Sequence, residues 1–139
     1  MLDRFVPPPI TDAVSFNLQL KACEKFSLSN GIPVYSIAAG AQEVVMVEWV
    51  FDAGNWYEEK NIVAATTNYL MKNGTTHKTA FEINDFVEGY GAYLNRSCYN
   101  ETATITLHCL SKHLSALLPI VAELIMEAQF PEEELQTYR

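Results

Sequence analysis

The chain has 139 residues, room for a single hydrophobic core, and its 49% apolar and 19% charged residues are those of a folded globular protein rather than a disordered one. A formal charge of −8, with no short cluster of Lys and Arg, argues against nucleic acid or an anionic membrane surface as partner. No apolar run approaches the roughly 20 residues that cross a bilayer, so no membrane role is expected.

The opening Met1-Leu2-Asp3-Arg4 lacks the apolar core of a signal peptide. Cys23, Cys98 and Cys109 form neither an even-numbered disulfide framework nor a C-x-x-C pair. A reducing, cytoplasmic setting is the expectation, and the Asn-x-Ser/Thr triplets at Asn73, Asn95 and Asn100 are then coincidental.

Residues 1–25 read as an extended arm, stiffened by Pro7, Pro8 and Pro9, with only Phe16, Leu18 and Leu20 alternating. Residues 26–139 read as one domain. Asn30-Gly31 between Phe26–Leu28 and Val34–Ile37 predicts a hairpin. Val44 to Phe51 is β-branched and aromatic, a strand closed by Asp52-Ala53-Gly54. Glu58 to Met71 reads as a helix with Ile62, Ala64, Ala65, Tyr69 and Leu70 as its apolar surface, stopped by Asn73-Gly74. Thr79 with Glu82 predicts a capping box; Phe81, Phe86 and Val87 are the expected buried stripe of that helix, which Gly91 ends.

Tyr93–Tyr99 and Thr102–Leu110 predict a second hairpin around Asn100-Glu101. Ala103, Ile105, Leu107 and Cys109 share one face of its second strand, and Thr102, Thr104, Thr106 and His108 the other. Leu114, Leu117, Leu118, Val121, Leu124 and Ile125 form a further helical stripe, in which Pro119 should bend the helix or mark a late start. Pro131 before Glu132, Glu133 and Glu134 is a helix N-terminus. The sequence stops one or two turns into that helix, which reads as a fragment. Strands and helices in mixed order predict an α+β class, with an antiparallel or mixed sheet carrying helices.

Several of these segments resemble a known family when taken in order. They are Leu28-Ser29-Asn30-Gly31-Ile32-Pro33-Val34-Tyr35, then Phe51-Asp52-Ala53-Gly54-Asn55-Trp56-Tyr57-Glu58, then Asn73-Gly74-Thr75. Val87 to Asn95, Glu101 to Thr104 and Phe130 to Leu135 continue the match. Together they resemble the opening of a pitrilysin/insulinase-type zinc peptidase domain.

In that family an H-x-x-E-H helix precedes the Gly-Thr. Its histidines bind zinc and its glutamate takes a proton from the zinc-bound water. The resemblance places those three positions at Ala65, Asn68 and Tyr69. A methyl group, a neutral amide and a phenol supply neither the imidazoles nor the base. The expectation is an inactive peptidase homologue with no catalytic residue, no bound metal and no cofactor; the family's third ligand, a later glutamate, would fall beyond Arg139.

No other constellation restores chemistry. His77 follows the helix stop, and His108 and His113 span a strand-to-helix boundary, so all three read as exposed or hydrogen-bonded side chains. Cys98 and Cys109 read as small buried residues without a histidine at contact distance. Glu58-Glu59 and Glu132–Glu134 read as helix-start and solvent-facing charges. No Gly-rich phosphate loop is present.

The resemblance also implies paired homologous domains around a chamber, with the strand matching Ala92, Tyr93, Leu94 and Asn95 pairing with an extended peptide at the cleft edge. Arg96 departs there from the family's small residue and is expected to narrow or recharge the groove. The expected partner is a homologous peptidase subunit or domain, with peptide substrates. A stand-alone peptide- or protein-binding module, and residual or relocated hydrolysis, stay open as other readings.

Overall fold

The computed structural model describes residues 5–6 and 19–138. Most of the proposed arm, including its prolines, Phe16 and Leu18, lies outside the described residues. The chain divides into two units, Met1–Ala41 and Gln42–Arg139, each described by itself.

In the first unit β1 (Glu24–Ser27) pairs antiparallel with β2 (Pro33–Ser36), with Phe26 opposite Val34. Asn30-Gly31 makes the expected turn: Gly31 N donates to Leu28 O at 2.9 Å, and Ile32 N to Asn30 Oδ1 at 3.2 Å.

The second unit is built on an antiparallel sheet in the order β3-β5-β4, where β3 is Val44–Phe51, β4 Tyr93–Cys98 and β5 Ala103–Leu110. Among the described residues, α1 (Val63–Leu70) and α2 (Ala80–Gly89) lie between β3 and β4, and α3 (Leu114–Glu127) and α4 (Glu132–Tyr138) follow β5. The α+β class is as the residue pattern indicates, and the sheet is antiparallel throughout.

Residues directly opposite each other in this sheet share a face. Val47, Leu107 and Leu94 therefore point together toward the helices, and so do Trp49, Ile105 and Arg96. Ile105, Leu107, Cys109 and Leu94 form the core with Ile83 and Val87 of α2 and Leu117, Ile120, Val121 and Leu124 of α3. The opposite face carries Val44, Met46, Val50 and Tyr93, all exposed. Thr104 and Thr106 on that face are nonetheless buried, because β5 is central and neighbours on both sides shield it.

Three expectations need correction. Phe81 and Phe86 of α2 are exposed, and Ile83 with Val87 forms the buried stripe, although the Thr79–Glu82 capping box is present. In α3 the buried set is Leu117, Ile120, Val121 and Leu124, whereas Leu118 is exposed. Pro119 does not delay the start of α3, which begins at Leu114, after a 3-10 turn at Ser111–His113. Gly91 ends α2 with φ of +62°, a conformation that glycine adopts without a Cβ clash.

The Gly-Thr loop after α1 is tied to α3. Thr75 Oγ1 donates to Glu123 Oε1, and Lys78 Nζ lies 2.6 Å from Glu123 Oε2. These hydrogen bonds, from Lys78 first and then Thr75, hold the Glu123 carboxyl below its ordinary value. A carboxylate depressed by folding contributes stability above its unfolded pKa and loses it as pH falls through the folded one. The stability difference between the parent and Glu123→Gln should therefore be largest near pH 7 and shrink as the pH drops below about 4. Urea titrations at both pH values check this; a difference independent of pH would refute it.

Candidate functional site

The segment ahead of α1 is shaped by Glu58. Its carboxylate accepts from Ile62 N and from Ala64 N, both at 2.9 Å, and so satisfies amides that a helix start leaves free. Ile62 takes a left-handed conformation with φ of 77°, unusual for a β-branched residue. The helix consequently begins at Val63 rather than at Glu58. The buried side chains of α1 are Asn68 and Leu70, while Ile62 and Tyr69 are exposed. The apolar surface expected of this helix is corrected accordingly.

The three positions that correspond to the zinc motif are thus distributed by the fold. Ala65 is half-buried and offers a methyl group. Asn68 is 5% exposed, and its Nδ2 reaches Thr104 O at 3.4 Å. Tyr69 is exposed and stacks on Tyr138 of α4 with ring centroids 4.8 Å apart. A guanidinium completes the group: Arg96 of β4 lies 5.5 Å over the Tyr69 ring and its Nη1 donates to Tyr69 O. Zinc requires lone-pair donors and tolerates a neighbouring fixed cation poorly. These residues do not fit a zinc ion.

Clefts flank α1 on two sides. One of about 420 Å³ lies toward β3 and β5, with Phe51, Asn68, Met71 and Ile125 among its walls. The other, about 590 Å³, lies toward α4 and includes Ile62, Leu70, Leu135 and Tyr138.

The strand β4 pairs on one side only among the described residues. Tyr99 N donates to Thr102 O at 2.8 Å, and antiparallel pairs alternate from there between bonded and unbonded. Tyr93, Asn95 and Ser97 therefore bond inward to β5, while the backbone groups of Leu94, Arg96 and Cys98 face away from it. Ser111 N to Glu43 O, 2.7 Å at the far end of β3, sets the same phase independently.

Of the four residues suggested as a peptide edge, Ala92 and Leu94 are buried in the core. Tyr93 and Asn95 are exposed on the face turned away from α1. Arg96, by contrast, turns toward α1. Strand alternation from Leu94 carries the signal for that orientation; its contact with Tyr69 is not encoded locally.

The remaining reactive side chains are engaged elsewhere. His77 Nε2 sits 3.1 Å from Glu127 Oε2, His113 packs edge-on against Tyr90, and the His108 and Tyr93 rings are 6.3 Å apart. Cys109 is buried in the core. Cys98 is only half-buried and reaches Asn55 Oδ1 at 3.4 Å; burial, then the charge of Glu58, pushes its thiol up and away from the reactive thiolate. No three of His, Cys, Asp and Glu come together as a metal-ligating group among the described residues. None of their helices is long and apolar enough to cross a membrane.

Comparison with known proteins gives a consistent result. The chain is 27% identical over 114 residues to mitochondrial-processing peptidase subunit beta of Rattus norvegicus, covering 81% of this chain and 23% of that protein. It is 23% identical over 135 residues to the probable mitochondrial-processing peptidase subunit beta of Arabidopsis thaliana, covering 96% of this chain and 25% of that protein. The chain thus spans about a quarter of the length of these relatives. Its fold is similar to a peptidase M16 inactive domain from Pseudomonas fluorescens, with a TM-score of 0.74, 24% identity, and coverage of 84% of this chain and 29% of that one. A protease from Helicobacter pylori is similar with a TM-score of 0.71 at 22% identity, covering 86% of this chain and 29% of that one. Residues 34–139 match the family model of insulinase, peptidase family M16, and the chain belongs to that family.

Proposed function

We propose that this chain is a non-catalytic member of the insulinase family that completes the chamber of a related, active peptidase subunit or domain and helps to hold its extended substrate. One observation carries this reading. At the positions of the zinc-binding helix stand a methyl group, a buried amide and a phenol, and the Arg96 guanidinium rests on the last of them. A fold retained without its chemistry is retained for its surface. The relatives are named as subunits, and one similar structure is named an inactive domain, which agrees with a role beside an active partner.

A second reading, a stand-alone peptide-binding module, draws on the β4 edge. Its outward N–H and C=O groups could pair with an added strand, which demands backbone complementarity more than particular side chains. Isolation of the tagged chain from its source cells separates the two. The partner reading expects a co-isolated insulinase-family chain with an intact H-x-x-E-H helix, and loss of peptide turnover when this chain is left out of the reconstituted assembly. Unchanged turnover on omission would end the partner reading and leave the stand-alone one.

A further inference from the structure

Resting on the reading that β4 holds an extended peptide, we infer that Arg96 and Lys72 form a carboxylate-binding site that selects acidic peptides on this edge. Among the described residues Arg96 Nε is buried without a hydrogen-bond partner, and Nη1 donates to the Tyr69 carbonyl oxygen. The side chain is only half-buried, and a carboxylate is the planar acceptor that matches the Nη donors that the Tyr69 carbonyl does not take.

The second cation lies along the same strand. Lys72, two residues past α1, lines a small cleft with Tyr93, Leu94 and Glu88. It makes no ion pair among the described residues, where the pairs are His77 with Glu127 and Lys78 with Glu123. Burial first, and the Arg96 charge second, pull Lys72 below its ordinary value, with Glu88 of α2 opposing them. Two half-buried cations therefore stand near Glu88 alone among the acidic residues of that cleft, and neither forms an ion pair among the described residues.

The register makes the assignment specific. Leu94 and Arg96 both present backbone groups outward and side chains toward α1. A peptide residue pairing opposite Arg96 would also place its side chain on the α1 side, within reach of the guanidinium. A residue two positions along would lie roughly 7 Å away, on the Lys72 side. The carboxylate can come from an acidic side chain or from a peptide C-terminus.

Three fluorescent octapeptides of alternating Thr and Val test this by anisotropy with the intact chain. The first carries one central Glu and an amidated end, the second Gln and an amidated end, the third Gln and a free carboxyl end. We expect a carboxylate-bearing peptide to bind roughly tenfold tighter than the neutral one. The preference for a carboxylate should disappear in Arg96→Gln. Which of the two charged peptides gains identifies the source of the carboxylate. Equal binding of all three by the parent chain would overturn the site while sparing the edge-strand reading. No binding of any peptide would overturn both. Because the peptides are compared on the unaltered chain, poor folding of the variant cannot obscure the outcome.

Discussion

Gly54→Ala is expected to destabilise the second unit by about 3 kcal/mol, the upper end of what overpacking costs. The backbone at Gly54 is ordinary, with φ of −78°, so the effect does not come from a forbidden conformation. It comes from proximity. A β-carbon there would meet Tyr99 O, Asn100 O at 2.5 Å and the Glu101 carbonyl carbon at 2.6 Å, all of them backbone. Those atoms cannot swing aside as a side chain could. They belong to the β4–β5 turn, which accepts hydrogen bonds from Gly54 N, Asn55 N and Trp56 N at 3.2, 2.9 and 2.9 Å. Relieving the clash means opening that set.

The control is Gly89→Ala at the end of α2, where an added β-carbon meets nothing within 4 Å. There the better helix propensity of alanine should be neutral or favourable by about 0.5 kcal/mol. Urea denaturation of the two variants reads the contrast directly. A Gly54→Ala stability within about 0.5 kcal/mol of the parent would show that the hairpin and the 3-10 turn at Asn55–Tyr57 are not locked together as described.

The second large effect concerns metal. The parent chain is expected to hold no stoichiometric zinc after dialysis, and the combined Ala65→His, Asn68→Glu and Tyr69→His variant to bind it weakly without hydrolysing peptides. Ligand chemistry is only part of the reason. The guanidinium lies 5.5 Å over the ring of residue 69, the position of one restored ligand, and a fixed cation that near a divalent metal would repel it by about a few kcal/mol at the effective dielectric of a protein surface. Removing it should therefore matter. Adding Arg96→Ser to the triple variant should strengthen zinc binding at least tenfold, a difference of about 1.4 kcal/mol or more. Competition with a chelating dye measures the affinities. Equal affinity with and without Arg96 would place the guanidinium outside the field of the restored ligands. Peptide hydrolysis by the triple variant alone would refute the view that a third ligand and a partner domain are both required.

The edge of β4 shows how a local reading becomes sharper once the register is known. Tyr93 to Tyr99 reads as a hairpin strand from its alternation and from the turn at Asn100-Glu101, and it is one. Which amides face outward is not legible from the residues. That depends on the phase of the ladder, which Tyr99 N and Ser111 N set. A proline at Leu94 removes an outward donor, whereas one at Ser97 would break a bond to β5.

What the amino-acid sequence determined by itself was encoded within a few residues. The Asn30-Gly31 turn, the β-branched run Val44–Phe51, the Thr79–Glu82 capping box and the hairpin at Asn100-Glu101 all form as read. Each depends on interactions between near neighbours, such as a cap, a turn conformation or a two-residue alternation. The vacancy of the zinc motif was equally plain, since it depends only on residue identity. The tertiary structure decided which faces are buried and what meets across the chain. Phe81 and Phe86 are apolar but exposed, while Asn68 is polar but buried, because the sheet and α3 cover Ile83 and Val87, and Asn68 reaches the β5 carbonyl of Thr104. One local contact also escaped the residue pattern: Glu58 delayed the start of α1 by clamping the amides of Ile62 and Ala64. Arg96 met Tyr69, 27 residues earlier in the chain, only because β4 packs beside α1. Periodicity identifies that an element has an apolar side, but burial is a property of the partner that element packs against, and separation in sequence hides the partner.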